Sequence, residues 1–219
     1  MDPKWIYLHG FASGAGSRKG VGLAAHFAAR GVELERLDQR LPSLERLRLS
    51  VMMRAVERAI GGERDRAIVF GSSLGGLTAA RVAEQDARVC ALVLLAPAFC
   101  FVERWRARLG DAAFAAWEES GWLDIVDYTN GQPARIDFEF VRDLALIDAR
   151  SSGWPDVRVP TLIVHGRADT TVPIELSRTW ARNKRHVRLV EVDDDHDLLV
   201  TLPTIALEAE QFLSRFLGT

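Results

Sequence analysis

The stretch at residues 67–76, which reads AIVFGSSLGG, decides the fold of this 219-residue chain. Four apolar residues that suit a buried strand come first, and a helical pattern over residues 77–85 follows. Between them, Gly71, Ser73 and Gly75 form the pattern Gly-x-Ser-x-Gly. A serine at the centre of such a turn needs a sharply bent backbone, and side chains two residues before or after it would collide with the neighbouring strand and helix. The stretch therefore predicts a strand, a tight turn and a helix, with the Ser73 hydroxyl pointing into a cleft.

The turn has the form of a nucleophile elbow, but a serine hydroxyl is a weak nucleophile at neutral pH. Ser73 needs a base within hydrogen-bond reach and a carboxylate that orients the base. Asp169 is the acid candidate because it follows the apolar run at residues 161–165, and His196 is the base candidate because it follows the run at residues 187–192. The carboxyl ends of parallel strands meet at one edge of a sheet, where the elbow also lies. The acids beside His196 are rivals that rank below Asp169: Asp194, Asp195 and Asp197.

The other histidines are poorer candidates for the base. His196 is the one that follows the last predicted strand. His26 lies on a helix face and His186 at a strand entrance, so both are predicted to be structural. His165 ends a strand near the predicted site, where we expect its ring to bond to the backbone.

Attack on an acyl carbon places negative charge on oxygen, which preorganised N–H groups must stabilise. Leu74, directly after the nucleophile, is expected to supply one backbone N–H group. The second is expected from the loop after the first strand, where Phe11 is the favoured donor and Ala12 the next. His9 and Gly10 are predicted to bind substrate, because they let the backbone bend close over the elbow.

Apolar runs that suit strands alternate with helical patterns along the chain. The predicted strands are residues 5–8, 33–37, 67–70, 91–95, 161–165 and 187–192, and the predicted helices outside the central segment are residues 18–30, 43–60 with Ser43 as N-cap, 74–85, 174–183 and 203–217. This alternation predicts an α/β protein, with a doubly wound, mostly parallel sheet of about six strands in a single domain of residues 1–219.

Residues 98–155 interrupt the alternation and are predicted to form an inserted lid segment after the fourth strand. The segment holds ten of the eighteen aromatic residues, which favours a role in lining an acyl or aryl pocket. Its predicted elements are a helix around residues 105–117, a hairpin of residues 123–128 and 134–138 turned at Asn130-Gly131, and a helix over residues 138–149 capped by Asp137. Trp105 and Trp122 are the predicted pocket residues. The alternative is that the aromatic side chains only form a small core within the insertion.

Composition narrows the classes of partner. The net charge is −2 and the isoelectric point about 6.2, so no overall basic field attracts nucleic acid. Cys90 and Cys100 give no disulfide framework. The first nine residues lack the form of a signal peptide, and the longest apolar run, residues 89–102, is too short and too interrupted to span a bilayer. We therefore expect a soluble, cytoplasmic protein without a membrane span.

Several motifs together resemble the α/β-hydrolase superfamily: Leu8-His9-Gly10-Phe11, the elbow at residues 71–76, His165-Gly166 with Asp169 and Val172-Pro173, and Asp195-His196. The first strand followed by His-Gly-Phe-Ala-Ser is similar to small bacterial esterases of the YqiA/YcfP type, and the insertion resembles that of related acyl-protein thioesterases. The resemblance implies a serine hydrolase that cleaves a small-molecule carboxylic ester or thioester through Ser73, His196 and Asp169, with no metal or cofactor. The six strands, where larger members have eight, and Ser72 beside the nucleophile depart from the family pattern.

Three other interpretations stay open. The loop at residues 165–169 also resembles peptidases of the prolyl-oligopeptidase type, although this chain has no propeller domain. The stretch at residues 14–20 contains Gly-x-Gly, which suggests a nucleotide-binding protein, but its third glycine is not at the right offset and the spacing of a Walker loop is absent. The third is a non-catalytic binding protein on the same fold.

Arg18 and Lys19 could contact an anionic leaving group such as a coenzyme A phosphate, or form an ordinary surface pair. The sequence also leaves open whether two copies form a homodimer.

Overall fold

The computed structural model describes residues 2–150 and 153–217. Its strands are β1 (Lys4–Leu8), β2 (Leu34–Leu37), β3 (Ala67–Ser72), β4 (Val89–Leu95), β5 (Trp122–Asp127), β6 (Gln132–Asp137), β7 (Thr161–Gly166) and β8 (Val187–Val192). Its helices are α1 (Arg18–Ala28), α2 (Leu49–Ile60), α3 (Leu74–Gln85), α4 (Phe101–Leu109), α5 (Asp111–Ser120), α6 (Glu139–Asp148), α7 (Ile174–Ala181) and α8 (Leu202–Phe212), and a short 3-10 helix, Ser214–Phe216, follows α8. Residues 151–152 of the predicted lid segment, and residues 1, 218 and 219 of the predicted domain, lie outside the described residues.

Six strands form one sheet in the order β2-β1-β3-β4-β7-β8, and every neighbouring pair is parallel. The predicted α/β fold with a doubly wound sheet of about six strands is confirmed. The chain runs outward from β1 to β2 and then returns to β3 on the other side of β1. The strand order therefore reverses between β1 and β3, and in open α/β sheets the crevice at the carboxyl ends of such strands is where ligands bind.

Each face of the sheet has its own hydrophobic core, because successive residues of a strand point to opposite faces. Tyr7 and Phe70 lie in the core that α1 and α8 cover, whereas Leu8 and Val69 lie in the core that α2, α3 and α6 cover. Full burial of a large apolar side chain contributes about 1.5–3 kcal/mol. The two cores together fix the central strands from both sides, and so fix the loops at their carboxyl ends.

Two predicted helix boundaries are wrong. α2 begins at Leu49 rather than Ser43, and no side chain of its own first turn caps it. Instead the carboxylate of Asp143, on α6, accepts hydrogen bonds from the backbone N–H and the hydroxyl of Ser50, at 2.8 and 2.6 Å. A tertiary contact therefore stabilises the first turn of α2, where the sequence pattern predicts a local cap. The last helix ends at Phe212, and the chain continues as the 3-10 helix.

The central segment contains the predicted elements with two differences. The helix expected around residues 105–117 is two helices, because Gly110 has a φ of +80° and ends α4 before α5 begins. Asp137 does not cap α6: Phe138 occupies the N-cap position, and the Asp137 carboxylate instead pairs with Arg48 at 2.6 Å. The predicted hairpin is β5 with β6, and its turn contains Gly131 with a φ of +73°.

The aromatic residues of the central segment do not form a core of their own. Phe99, Trp117 and Phe140 are buried in the same cluster as Val69 and Leu94 of the central strands. Side chains of the central segment therefore help to complete the core on one face of the sheet.

Candidate active site

Ser73 occupies the turn between β3 and α3 in a strained conformation, with φ 54° and ψ −115°. Such a conformation costs a non-glycine residue on the order of 1–3 kcal/mol, and persists where the surroundings enforce it. Two backbone hydrogen bonds do so: the Ser73 N–H donates to the carbonyl of Leu95 at 2.9 Å, and the Ser73 carbonyl accepts from the N–H of Ala98 at 3.0 Å. The end of β4 thus holds the turn in place.

The two flanking glycines are required for the steric reason that the sequence predicts. A Cβ atom on Gly71 would contact the carbonyl group of Gly75, and a Cβ atom on Gly75 would lie 2.6 Å from the carbonyl oxygen of His9. Both obstacles are backbone atoms, which cannot move aside as a flexible side chain can.

Ser72 does not compete with Ser73 as the nucleophile. Its side chain is buried and hydrogen-bonds to the phenol of Tyr7 on the other face of the sheet. Burial raises the pKa of Tyr7 to about 12, so this phenol stays protonated.

The structure brings Ser73, His196 and Asp169 together, and two hydrogen bonds connect them in that order. His196 Nε2 lies 3.1 Å from Ser73 Oγ, and His196 Nδ1 lies 2.7 Å from Asp169 Oδ2. A carboxylate can only accept, so Nδ1 carries the hydrogen and Nε2 is free to accept the serine proton. The imidazole is partly exposed, whereas the carboxylate is fully buried. This is the arrangement in which an imidazole acts as general base toward a hydroxyl.

Three hydrogen-bond donors and a second imidazole surround the Asp169 carboxylate. Its Oδ1 accepts from the backbone N–H groups of Thr171 and Val172, each at 2.8 Å, its Oδ2 accepts from His196, and His165 Nε2 lies 3.1 Å from the same Oδ2. Burial alone would raise the pKa of Asp169, but the hydrogen bonds from His165, His196 and the Val172 backbone outweigh it and hold the pKa well below its usual range. The carboxylate therefore stays charged throughout the neutral range.

Two of the rival acids, Asp194 and Asp195, are occupied elsewhere in their own loop. The Asp194 carboxylate accepts from the backbone N–H and the hydroxyl of Thr201, both at 2.8 Å, and from the backbone N–H of Asp195. Asp195 in turn accepts from the N–H of Asp197. These bonds shape the loop between β8 and α8 and leave orientation of the imidazole to Asp169.

Lys19 reaches the loop of the base from α1. Its Nζ donates to the backbone carbonyl of His196 at 3.2 Å, and burial lowers its pKa while the carboxylates of Asp197 and Asp169 oppose that shift. The side chain thus fastens α1 to the His196 loop across 177 positions of sequence. Neither of the two roles expected for Lys19 from the sequence includes this contact.

The two predicted oxyanion donors follow different strands: Phe11 lies in the loop after β1, and Leu74 begins α3 after β3. The Gly10 carbonyl accepts from the Ser13 N–H at 3.3 Å and lies 2.9 Å from His9 Nδ1. In a trans peptide the carbonyl and the following N–H point in opposite directions, so the Phe11 N–H points away from these partners. Within the described residues, no hydrogen bond engages the backbone N–H of Phe11 or of Leu74. Both groups are available to an incoming oxygen.

His9 is buried, and both of its ring nitrogens are engaged. Nε2 accepts from the backbone N–H of Gln39 at 2.8 Å, which leaves the hydrogen on Nδ1 to face the Gly10 carbonyl at 2.9 Å. Asp38 Oδ1 lies 3.2 Å from the same Nε2. The ring therefore shapes the loop that contains Phe11, while Gly10 itself passes close to the nucleophile.

The two predicted pocket tryptophans lie in different places. Trp105 contacts the Phe11 ring edge-on, with centroids 5.0 Å apart, and so stands beside one oxyanion candidate. Trp122 begins β5, and the guanidinium of Arg135 covers its ring at 4.1 Å. Tyr128, just past the other end of that strand, donates its N–H to the Ala12 carbonyl. Trp122 thus lies about 20 Å, measured along the strand, from this contact with the oxyanion loop.

An ion pair also anchors the tip of the hairpin. The guanidinium of Arg40, in the loop after β2, binds both carboxylate oxygens of Asp127, the closer at 2.6 Å, and donates to the Thr129 hydroxyl at 3.0 Å. The sequence does not predict this contact, because no local pattern links residues 87 positions apart.

The parallel sheet, the strained elbow and the three strand-end residues define an α/β-hydrolase fold, and solved structures agree. A putative hydrolase from Agrobacterium vitis S4 is 24% identical with a TM-score of 0.79, covering 99% of this chain and 88% of that one. Est1E from Butyrivibrio proteoclasticus, with ferulic acid bound, is 21% identical with a TM-score of 0.76, covering 99% and 90%. The mouse alpha/beta hydrolase domain-containing protein 10 is 19% identical with a TM-score of 0.75, covering 97% and 90%.

The chain belongs to the uncharacterised protein family UPF0227, whose sequence profile matches residues 4–206. The resemblance to the α/β-hydrolase superfamily is confirmed, and the likeness to the YqiA/YcfP type agrees with this family match. A search of curated protein sequences finds no match.

Within residues 2–150 and 153–217, no three side chains of His, Cys, Asp or Glu are grouped so that they could hold a metal ion. None of the helices in those ranges is both long and apolar enough to cross a membrane.

Proposed function

We propose that this protein is a serine hydrolase that cleaves carboxylic esters or thioesters through an acyl-enzyme. One observation carries the proposal: the strained Ser73 hydroxyl, the His196 imidazole and the buried Asp169 carboxylate form an unbroken hydrogen-bonded series of 3.1 and 2.7 Å. The esterases among the similar structures support this reaction class.

In the first step Ser73 Oγ attacks the acyl carbon, and His196 Nε2 takes the hydroxyl proton. Asp169 holds the imidazolium that forms, and remains ionised itself. The carbonyl oxygen gains the negative charge, and the N–H groups of Phe11 and Leu74 stabilise it. The bond from the acyl carbon to the leaving oxygen or sulfur then breaks, and the proton passes from His196 Nε2 to that atom.

In the second step a water molecule replaces the leaving group. His196 takes a proton from water, the resulting hydroxide attacks the acyl carbon of the acyl-enzyme, and the proton returns to Ser73 Oγ as the acid leaves. The imidazole is partly exposed, which gives water access to this position.

The insertion is proposed to act as a lid that supplies part of the acyl pocket. Phe11 connects the oxyanion loop to Trp105 and Phe101 of α4 and to Phe140 of α6 through ring contacts of 5.0–6.3 Å. Phe11 and Trp105 are partly exposed, whereas Phe101 and Phe140 are buried behind them. An apolar acyl or aryl group suits this wall.

The test is turnover of p-nitrophenyl esters from acetate to palmitate, beside acyl-coenzyme A thioesters. Ser73→Ala is expected to reduce kcat by several orders of magnitude with the fold intact. Ser72→Ala is the matched control, because it removes the adjacent hydroxyl from the other face of the sheet, and we expect it to retain activity. Near-normal activity of Ser73→Ala would refute the assignment.

A fluorophosphonate probe separates the other interpretations. A non-catalytic protein on this fold would not react with the probe, whereas we expect labelling of Ser73 that stops in Ser73→Ala. A peptidase would cleave an aminoacyl amide in addition to the matching ester, whereas we expect turnover of the ester alone.

A further inference from the structure

A second histidine contacts the acid of the proposed triad. His165 lies one residue before the end of β7, and its side chain is fully buried. Its Nε2 is 2.9 Å from the carbonyl oxygen of Val172 and 3.1 Å from Asp169 Oδ2, and its Nδ1 is 2.7 Å from the hydroxyl of Ser177 on α7. None of the proton transfers described above uses this ring.

The partners of His165 decide its tautomer. A carbonyl oxygen accepts hydrogen bonds and cannot donate them, so Nε2 carries a hydrogen. That hydrogen faces both the Val172 carbonyl and the Asp169 carboxylate. Nδ1 of the neutral ring then accepts the hydrogen of the Ser177 hydroxyl. Every polar atom of this buried side chain is thereby satisfied.

We propose that His165 is a positioning residue that fixes the Asp169 carboxylate for its contact with His196. The inference rests on the proposed serine hydrolase function. Asp169 Oδ1 is held by two backbone N–H groups of its own loop, whereas Oδ2 is held by two imidazole rings, one of which is the base. His165 therefore controls both the direction of Oδ2 and the share of its negative charge that reaches His196.

Loss of the His165 N–H is expected to shift the acid limb of kcat/KM in one particular direction. With one donor fewer, Oδ2 concentrates more charge on the remaining donor and stabilises the imidazolium form of His196 more strongly. The acid limb of kcat/KM, which reports the essential base, then moves to higher pH. The other groups facing this unit stay constant in the comparison: Lys19 on α1, Ser73 at the elbow, Arg104 on α4, and Asp194, Asp195 and Asp197 in the loop of the base.

Three variants and one control test the role. His165→Leu removes both ring nitrogens, His165→Gln retains an N–H donor near the position of Nε2, and Ser177→Ala removes only the hydroxyl that donates to Nδ1. His186→Leu is the control, because His186 also bonds a backbone carbonyl, that of Val157, at 2.9 Å, but lies at the entrance of β8. Steady-state kinetics with a p-nitrophenyl ester over pH 5–9 and urea unfolding are measured for each.

His165→Leu is expected to lower kcat about 10- to 100-fold with little change in KM, as small displacements of catalytic groups do, and to raise the pH of the acid limb. His165→Gln is expected to recover most of kcat, and Ser177→Ala to change both quantities in the same direction as His165→Leu but less. His186→Leu is expected to change neither. A folded His165→Leu with the kcat and acid limb of the wild type overturns the proposal, as does a His165→Gln no better than His165→Leu. If His165→Leu does not fold, a Ser177→Ala variant with the kcat and acid limb of the wild type overturns the proposal.

A spectroscopic measurement separates this proposal from the proposed function. The Nδ1 proton of His196, hydrogen-bonded to the carboxylate, is sought as a low-field signal in the proton NMR spectrum of the wild type. His165→Gln and Ser177→Ala are expected to shift it, and His186→Leu to leave it in place. If no ester is hydrolysed but the signal shifts as expected, the function is wrong and the coupling through Asp169 holds. If esters are hydrolysed and the signal does not move, the positioning role is wrong.

Discussion

Replacing Gly10 by alanine tests where the substrate carbonyl lies. The added Cβ atom would be 3.3 Å from Ser73 Cβ, 3.5 Å from the Ser72 carbonyl oxygen and 3.9 Å from Ser73 Oγ. None of these contacts is severe enough to break the fold. Overpacking typically costs about 1–3 kcal/mol, and the low end of that range applies here because the neighbours need to shift by only a few tenths of an ångström. The lower entropy of the unfolded chain offsets about 0.4–1 kcal/mol of this cost. We therefore expect the free energy of unfolding to change by less than about 1 kcal/mol.

The effect on activity is expected to be much larger. An acyl carbon must come within about 3–3.5 Å of Ser73 Oγ, and its oxygen must meet the N–H groups of Phe11 and Leu74. A methyl group on Gly10 keeps other heavy atoms about 3.5 Å away and so occupies this space. The loss is comparable to removal of an oxyanion donor, about 100- to 1,000-fold in kcat/KM or about 3–4 kcal/mol.

The assay compares Gly10→Ala with Gly16→Ala, using a p-nitrophenyl ester and urea unfolding. Gly16 lies further along the same loop, and a Cβ atom there meets nothing within 4 Å, so Gly16→Ala is expected to match the wild type. If Gly10→Ala retains kcat/KM within threefold of the wild type, the substrate does not approach along this side of the nucleophile and the assigned oxyanion site is wrong. If Gly10→Ala lowers the free energy of unfolding by more than about 3 kcal/mol, Gly10 is needed for the stability of the fold instead.

Three further outcomes are expected. Gly75→Ala places a Cβ atom against backbone carbonyls of β1 and the loop after it, so urea unfolding should show a loss of about 3 kcal/mol or more. Lys19→Met removes the positive charge bonded to the loop of the base, so the acid limb of kcat/KM should rise by roughly half a pH unit, whereas Arg18→Met should leave it unchanged. The folded pKa of Asp169 lies below the ordinary value near 3.9, so the stabilisation from its ionised form is present above that pH and lost below it. Between about pH 4 and pH 2 the wild type should therefore lose more unfolding free energy than Asp169→Asn, and equal losses would contradict the assigned hydrogen bonds.

The sheet and the positions of the three triad candidates could be predicted from the sequence because each follows from a local rule. The clash that requires Gly71 acts within four residues, and the clash that requires Gly75 is with the carbonyls of Leu8 and His9 at the end of the neighbouring strand. Asp169 and His196 needed one further rule, that the carboxyl ends of parallel strands share an edge. Ser73, Asp169 and His196 are far apart in sequence, yet each is placed by the strand directly before it.

The features that the sequence did not predict depend on partners far along the chain. Ser43 has the composition of an N-cap, but α2 begins six residues later, where Asp143 supplies the bond. Asp137 has the composition of a cap for α6, but Arg48 binds its carboxylate. For His165 the sequence suggested proximity to the site, whereas its contact with Asp169 depends on the turn that brings the two side chains together.

The shared core beneath the insertion bears on how new specificities could be engineered on this scaffold. Since Phe99, Trp117 and Phe140 finish the packing around Val69 and Leu94, the segment cannot be excised or exchanged as a cassette without uncovering the central strands. A grafted replacement would have to reproduce the inward-facing shape of the original before it could present a different outer surface. Substitutions that change specificity are therefore easier at partly exposed positions such as Trp105. A change of side chain there alters the wall of the cleft and leaves the buried core of the sheet intact.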